Sequence, residues 1–348
     1  MSPVTLKDLA RRLGVSVTTV SKALKDYADI GKETKEQVKK LAQELNYQPN
    51  IHAVNLRVQK SKTFGVIIPK IEHYFFANVL NGIISEAEKN GYIVITLFSD
   101  DNVELEKQQV NLLINKRVDG IFMVLSHQSQ LHEQSHIMNI LAHNISLVLL
   151  DRTSSAIPCS KVLIDEQKAG YKATKHLLSN GAKHIMYLGG SKWQLNYRKR
   201  FNGYIQALHE FGIMEDERIV RHCQANNINE AQVQTLATLK ENPQIDAIFA
   251  STDFLAFGAI KAIHQIGKSI PKDISVFGFS NWFMTEHLEP SISTIQQPST
   301  IMGHKAVELM IDEIANEEKR LPVKQQTILL PTELILRQST KNDIHIDG

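Results

Sequence analysis

Cysteine is almost absent: Cys159 and Cys223 are the only two in 348 residues, far apart and outside any CxxC pair. That spacing excludes a disulfide framework and the common zinc sites, and it suits a reducing compartment. Long apolar runs are missing as well. No stretch approaches the roughly eighteen apolar residues that a membrane span needs, and the opening MSPVTLKDLA lacks the apolar core of a secretion signal. A cytoplasmic protein without a membrane partner is expected. Catalytic signatures are equally scarce, with no GxGxxG after the first expected strand and no GxSxG anywhere. The chain is therefore expected to be no enzyme and to carry no cofactor.

Two stretches imitate catalytic motifs. His132-Glu133-Gln134-Ser135-His136 fits the HExxH pattern of zinc proteases, in which two histidines share one helix face. No third ligand can be nominated, so a solvated helix face is the expectation and a metal site is not. Ala262–Ser269, AIHQIGKS, loosely fits a phosphate loop. Such a loop leaves a strand and opens a helix, whereas here Gly267 closes a helix and Pro271 precedes a strand. Gly267 is expected to cap that helix.

What the chain does contain is unevenly placed. Hydrophobic residues make up 43% and charged residues 22% of it, the proportions of a globular protein, and its length calls for more than one domain. Residues 1–62 hold twelve Lys/Arg against six Asp/Glu, and the remainder 27 against 31. A basic head on a mildly acidic body is the footprint of a nucleic-acid-binding module beside a separate domain.

Within that head, VTLKDLARRLGVSVTTVSKALKD (Val4–Asp26) reads as two short helices joined by a tight turn. Thr5 can cap the first, whose Leu6, Leu9, Ala10 and Leu13 share a face, and Gly14 can take the left-handed turn after it. Ser16 can cap the second, with Val17, Val20 and Leu24 beginning another apolar series. Between them lie Thr18, Thr19, Ser21 and Lys22, the hydrogen-bonding groups a helix needs to read base edges. A third helix is expected from about Lys32 to Leu45. Gln48–Lys62, QPNIHAVNLRVQKSK, is too short to hold a helix alone in water. It reads as a linker in free solution, or as a hinge that folds on DNA with Leu56 wedged into the minor groove.

From Thr63 short apolar strands alternate with amphipathic helices. The first run comprises Phe64–Pro69, Phe75–Asn90, Tyr92–Phe98, Val103–Lys116, Gly120–Val124, Leu131–Ala142 and Ser146–Leu150. A second begins at Lys161–Ile164 and ends at Ser275–Phe279. This rhythm predicts two doubly wound parallel-sheet subdomains, with a ligand cleft at the carboxyl ends of their strands. Ile292–Gln297, Ser299–Glu317 and Gln326–Arg337 are expected to cross back and complete both sheets. The expected partition is a headpiece at 1–47 and a linker at 48–62. A first subdomain takes 63–161 with 292–322, a second takes 162–291 with 323–340, and 341–348 is a tail. Segments expected at strand ends carry aromatic, amide and charged groups: His73–Phe76, Asp151-Arg152, Asn196–Arg200, Thr252-Asp253 and Ser280–Trp282. Together they suit a polyhydroxylated or anionic small ligand, although capping alone could account for Asp253.

VTLKDLARRLGVSVTTVSKAL, LNYQPNIHAVNLR and FGVIIP, followed by LLDR, RFNGY, STDFLAFGAIKAI, ISVFGFSN, PSISTIQQP and LPTELILRQST, resemble the lac repressor (LacI/GalR) family over nearly the whole chain. The resemblance implies an all-α helix-turn-helix headpiece plus an α/β core similar to periplasmic sugar-binding proteins. It implies a homodimer or dimer of dimers on a palindromic double-stranded DNA operator. By position it makes Val17, Thr18 and Lys22 base readers, and Thr5, Ser16, Thr19, Ser21 and Asn50 phosphate contacts. Ala53 and Leu56 fall at the minor-groove hinge. The family's effector positions fall on Phe75, Phe76, Asp151, Asn196, Arg200, Thr252 and Ser280. Many sugar-binding members carry Asp where this chain has Ser280. With Arg200 retained, that departure favours an acidic sugar or sugar phosphate, unless Asn281 takes over the missing carboxylate's part. The implied function is a ligand-responsive transcriptional regulator, in the repressor's sense, of carbohydrate-related genes. The alternative is a solute-binding receptor with the same core and no role on DNA.

Overall fold

The computed structural model describes residues 4–47, 60–71, 74–322 and 324–341. The chain divides into two compact units, Met1–Ser61 and Lys62–Gly348. Asn50, Ala53 and Leu56, with most of the expected linker, lie outside the described residues, as do His73 and most of the tail.

In the first unit three helices share one small core: α1 (Leu6–Leu13), α2 (Val17–Leu24) and α3 (Lys32–Glu44). Leu9, Ala10, Val20, Ala23, Val38 and Ala42 are buried at its centre. The ends follow from the residues expected there. Thr5 Oγ1 accepts from the Asp8 amide while the Asp8 carboxylate accepts from the Thr5 amide, a reciprocal cap. Gly14 turns the chain at φ 66°, and Ser16 Oγ accepts from the Thr19 amide to open α2.

The second unit holds two six-stranded sheets. The first is built from β1 (Thr63–Ile68), β2 (Ile93–Phe98), β3 (Gly120–Met123), β4 (Ser146–Leu150), β5 (Ser160–Ile164) and β11 (Thr327–Leu330), in the order β11-β5-β4-β3-β1-β2. The second is built from β6 (Ile185–Gly189), β7 (Val220–His222), β8 (Ala247–Ala250), β9 (Ser275–Ser280), β10 (Ser293–Gln296) and β12 (Glu333–Ile335), in the order β12-β10-β9-β8-β6-β7. All pairings are parallel except β10 with β12. Strands β1, β3, β4, β6 and β8 are buried at every position, as parallel strands covered on both faces must be.

Helices α4 (Tyr74–Lys89) and α12 (Ser299–Glu318) bury Val79, Ile83, Met302 and Ala306 on one face of the first sheet. On its other face α5 (Val103–Asn115) and α7 (Ser135–Ala142) bury Val110, Leu113, Ile137 and Ile140. The second sheet lies between α8 (Glu166–Ser179) and α9 (Leu195–Glu210) on one side and α10 (Ile228–Glu241) and α11 (Asp253–Gln265) on the other.

The chain passes between the two halves three times, at Asp165, at Gln297-Pro298 and at Pro331-Thr332. This corrects the expected partition. Strand β10, expected in the first subdomain, pairs with β9 in the second sheet, and β11, expected in the second, pairs with β5 in the first. The twelve residues between β9 and β10 suffice for a parallel return to the same sheet edge. The expected boundary at 161/162 cuts through β5, which pairs wholly within the first sheet.

The helix expected over Leu131–Ala142 is also two pieces, α6 (His127–Leu131) and α7, broken at His132–Gln134. The HExxH histidines therefore share no helix face. His132 is exposed, but His136 is buried rather than solvated, with Nε2 2.7 Å from the buried Glu106 carboxylate. Glu106 also accepts from the Ser126 amide at 2.6 Å and from the Ser129 hydroxyl. Among the described residues no group of three or more His, Cys, Asp or Glu side chains could hold a metal ion. Gly267 follows α11 in the left-handed region at φ 73°, where it ends the helix.

Candidate functional site

On the headpiece, α2 turns Val20 and Ala23 inward and leaves Val17 and Thr18 exposed. Ser16 and Thr19 are committed to the helix start, their hydroxyls 2.8 Å apart. Thr5 is likewise committed to its cap. Ser21 lies part-exposed on the same helix. Lys22 is held by the Asp29 carboxylate from the loop after α2, and that bond keeps the Asp29 carboxyl below its usual range. Two features of this surface escaped the sequence reading. One is the Lys22–Asp29 tether, and the other is the double hydrogen bond from Lys39 Nζ to Asp26 at 2.7 Å.

In the second unit, all seven residues expected to meet an effector line one cavity at the strand ends. Phe75 and Phe76 begin α4 and pack edge to face at 5.2 Å. Asp151 leaves β4 in the left-handed region at φ 55°. From the second half come Asn196 and Arg200 on α9, Thr252 before α11 and Ser280 at the end of β9. Asn196 Nδ2 donates across the cleft to Asp151 at 3.1 Å. Thr252 Oγ1 accepts from the Leu255 amide and donates to Asn226 at 3.1 Å. Ser280, strained at φ 112°, donates to Gln297 at 2.8 Å.

Arg200 is the most constrained of the set. Its Nε donates to Glu166 at 2.6 Å, its Nη2 to the same carboxylate at 3.1 Å, and its Nη1 to the Ser251 carbonyl at 2.6 Å. The guanidinium lies 3.6 Å from the Phe279 ring centre. Two glycines bring α8 and α9 close enough for this pairing. A Cβ on Gly203 would stand 2.1 Å from the Gln167 carbonyl oxygen, and one on Gly170 2.3 Å from that of Arg200. Glu166 opens α8 one residue after its cap, Asp165. Nothing in the sequence marked it, because its meaning depends on that helix contact.

Asp101 was also missed, and two residues that the sequence singled out, Asp253 and Asn281, take other parts. Asp101 accepts from the His127 amide and from Arg152 Nη1 at 3.0 Å, and across the cleft from Gln194 at 3.3 Å. Asp253 is no cap, since Thr252 fills that part. It is buried at the cleft floor, accepting from the Trp282 amide and the Thr294 hydroxyl, both at 2.7 Å. Burial pushes its carboxyl up to about 6. Burial and then the Glu166 charge push Asp151 up to about 6 as well. Asn281, considered as a substitute for a carboxylate at position 280, bonds instead to Gln296 and Arg337 and does not line the cavity. Aromatic walls come from Tyr74, Tyr197, Phe254, Phe279 and Trp282.

Comparison with known proteins covers both units. A family profile described as bacterial regulatory proteins, lacI family, matches residues 5–50. One described as periplasmic binding proteins and sugar binding domain of LacI family matches residues 61–333. The ribose operon repressor of Halalkalibacterium halodurans is 34% identical over 97% of each chain. The transcriptional repressor PurR of Actinobacillus pleuropneumoniae is 30% identical over 97% of this chain and 98% of its own. A lac repressor dimer solved with operator and the anti-inducer ONPF is similar at a TM-score of 0.84 and 26% identity, covering 97% of this chain and 99% of that one. An Enterococcus faecium regulator solved with bound ribose has a TM-score of 0.69 and 28% identity over 80% of this chain and 98% of that one. A match on the headpiece as well as the core favours a regulator over a solute receptor.

Proposed function

Since the chain belongs to the lacI family of bacterial regulatory proteins and is a DNA-binding transcriptional regulator, we propose that it is a repressor whose affinity for its operator is set by a small molecule in the core cleft. The effector is a sugar or sugar derivative, held by Phe75, Phe76, Asp151, Asn196, Arg200, Thr252 and Ser280. The observation that carries this reading is the meeting of all seven side chains in one cavity, drawn from both halves of the core. Aromatic faces beside carboxylate, amide and guanidinium groups suit the apolar faces and hydroxyls of a sugar ring.

On the DNA side, Val17, Thr18 and Lys22 read bases in the major groove, and Thr5, Ser16, Thr19, Ser21 and Asn50 position the phosphates. Ala53 and Leu56 act at the minor groove through a hinge segment that folds on DNA. A homodimer or dimer of dimers in the cytoplasm binds a palindrome. Ligand in the cleft changes the relation of the two core halves, and the hinge carries that change to the DNA as a coupling free energy. The relatives named above are regulators, and the reading assigns this chain no catalysis.

The test is to capture sheared genomic DNA from the source organism on the purified protein, with and without a metabolite extract, and to sequence what is retained. A palindromic motif beside carbohydrate genes, with occupancy that changes on adding extract, is the expected result. No enriched motif under either condition would sink the reading.

A further inference from the structure

Two guanidiniums line the cavity, those of Arg152 and Arg200, and each is already met by a carboxylate. Arg152 is paired with Asp101 at 3.0 Å. Arg200 is gripped by both oxygens of Glu166, a buried residue in the second layer behind the cavity wall. The two acids that line the cavity differ in what they have left to offer. Both Asp253 oxygens are taken by Thr294 and Trp282. Asp151 accepts from Asn196 at 3.1 Å through one oxygen, and its other oxygen takes no hydrogen bond from the described residues. The cavity thus presents a carboxylate with spare acceptor capacity and no cation in excess. Arg200 keeps N–H groups beyond the three it has spent, so it can still donate to a neutral oxygen. A phosphate or carboxylate placed there faces Asp151 and Glu166 together, with no unbalanced positive charge to hold it.

We infer that Glu166 sets the class of ligand: by neutralising Arg200 it makes the cleft take an uncharged, hydroxyl-rich molecule and refuse oxyanions. Ligand hydroxyls donate to Asp151 and accept from Arg200. This reverses the acidic-sugar expectation, which counted Arg200 as a free cation. It rests on the reading of the cleft as the effector site.

Trp282 lines the cavity, and Trp193 is the only other tryptophan in the sequence, so intrinsic fluorescence reports on the cleft. The full chain and its Glu166→Gln variant are titrated with inorganic phosphate, ribose, ribose 5-phosphate, glucose, glucose 6-phosphate and glucuronate at matched ionic strength. The wild type is expected to show no saturable response to any of the four anions. Glu166→Gln is expected to gain a saturable phosphate response, at least tenfold tighter than any in the wild type, that disappears when Arg200→Met is added. That pair of results upholds the assignment whichever neutral sugar binds.

Anion binding by the wild type that is lost in Arg200→Met overturns the assignment and leaves the cleft reading intact. A folded Glu166→Gln variant that gains no anion response also overturns it. Should Glu166→Gln fail to fold, Glu166→Asp, one methylene shorter and so withdrawn from Arg200, must give a smaller gain of the same kind that is lost when Arg200→Met is added. If no folded protein in the set responds to any compound, Glu166→Gln has gained nothing and the assignment falls, while the cleft reading stands or falls on the operator capture with metabolite extract.

Discussion

Arg200→Met removes the cation of a buried pair and leaves Glu166 in place with Asn196 as its only remaining side-chain donor among the described residues. An ion pair stripped of one partner in the interior costs about 3–5 kcal/mol, chiefly the penalty of the stranded charge. For a unit this large, with roughly 2 °C lost per kcal/mol, the core should melt about 6–10 °C lower. Adding Glu166→Gln removes the stranded charge while an amide oxygen can still accept from Asn196. The double variant should therefore recover half or more of the loss. Urea unfolding of the full chain, followed by far-ultraviolet circular dichroism, measures the four corners of the cycle. If the two single losses simply add, within about 0.5 kcal/mol, the pair does not hold this wall of the cleft, and the account of Arg200 is wrong.

Four more outcomes are expected. The Asp253 carboxyl is raised to about 6 from 3.8, so the folded state binds its proton more tightly than the unfolded chain does. Its stabilising contribution is present below pH 4 and is lost as pH rises through 6, a loss of about 3 kcal/mol. Asp253→Asn should flatten this part of the stability profile, and parallel wild-type and variant profiles would refute the assignment. Gly203→Ala drives a Cβ toward the Gln167 carbonyl oxygen and should cost about 1–3 kcal/mol or more in urea melts; an unchanged midpoint would contradict the close contact of α8 with α9. Thr5→Ala removes a reciprocal cap and should cost the headpiece about 1 kcal/mol, read as a lower first transition in a thermal melt. Lys22→Ala should weaken binding to the captured motif more than binding to random duplex at the same salt, and equal losses would remove Lys22 from the base readers.

The headpiece was legible because its signals are local. Thr5, Gly14 and Ser16 mark helix ends by their own chemistry, and the structure puts each where the sequence places it. The alternation of strands and helices was legible for the same reason, since a fully buried parallel strand is an apolar run. Partnership was not. Whether β10 joins the first or second sheet depends on which edge is open after β9, and no residue in Ser293–Gln296 states that. His136 looked like a surface residue because its partner, Glu106, lies thirty positions earlier. The cavity residues were found as types at strand ends, but their chemical state was not. Arg200 reads as a free cation until Glu166 is seen against it, and the glycines that allow that contact read only as small residues.

The three passages between the core halves have a mechanical consequence. Each is only one or two residues long, and three short straps between the same two bodies resist twisting far more than bending. Opening and closing about the straps is then the motion they restrain least. A single proteolytic nick in one strap leaves the other two to keep the halves together. One strap also belongs to the cleft: Gln297 lines the cavity and accepts from Ser280. A molecule pressing on that side chain loads a strap directly, so the force of occupancy enters the joint without passing through either sheet.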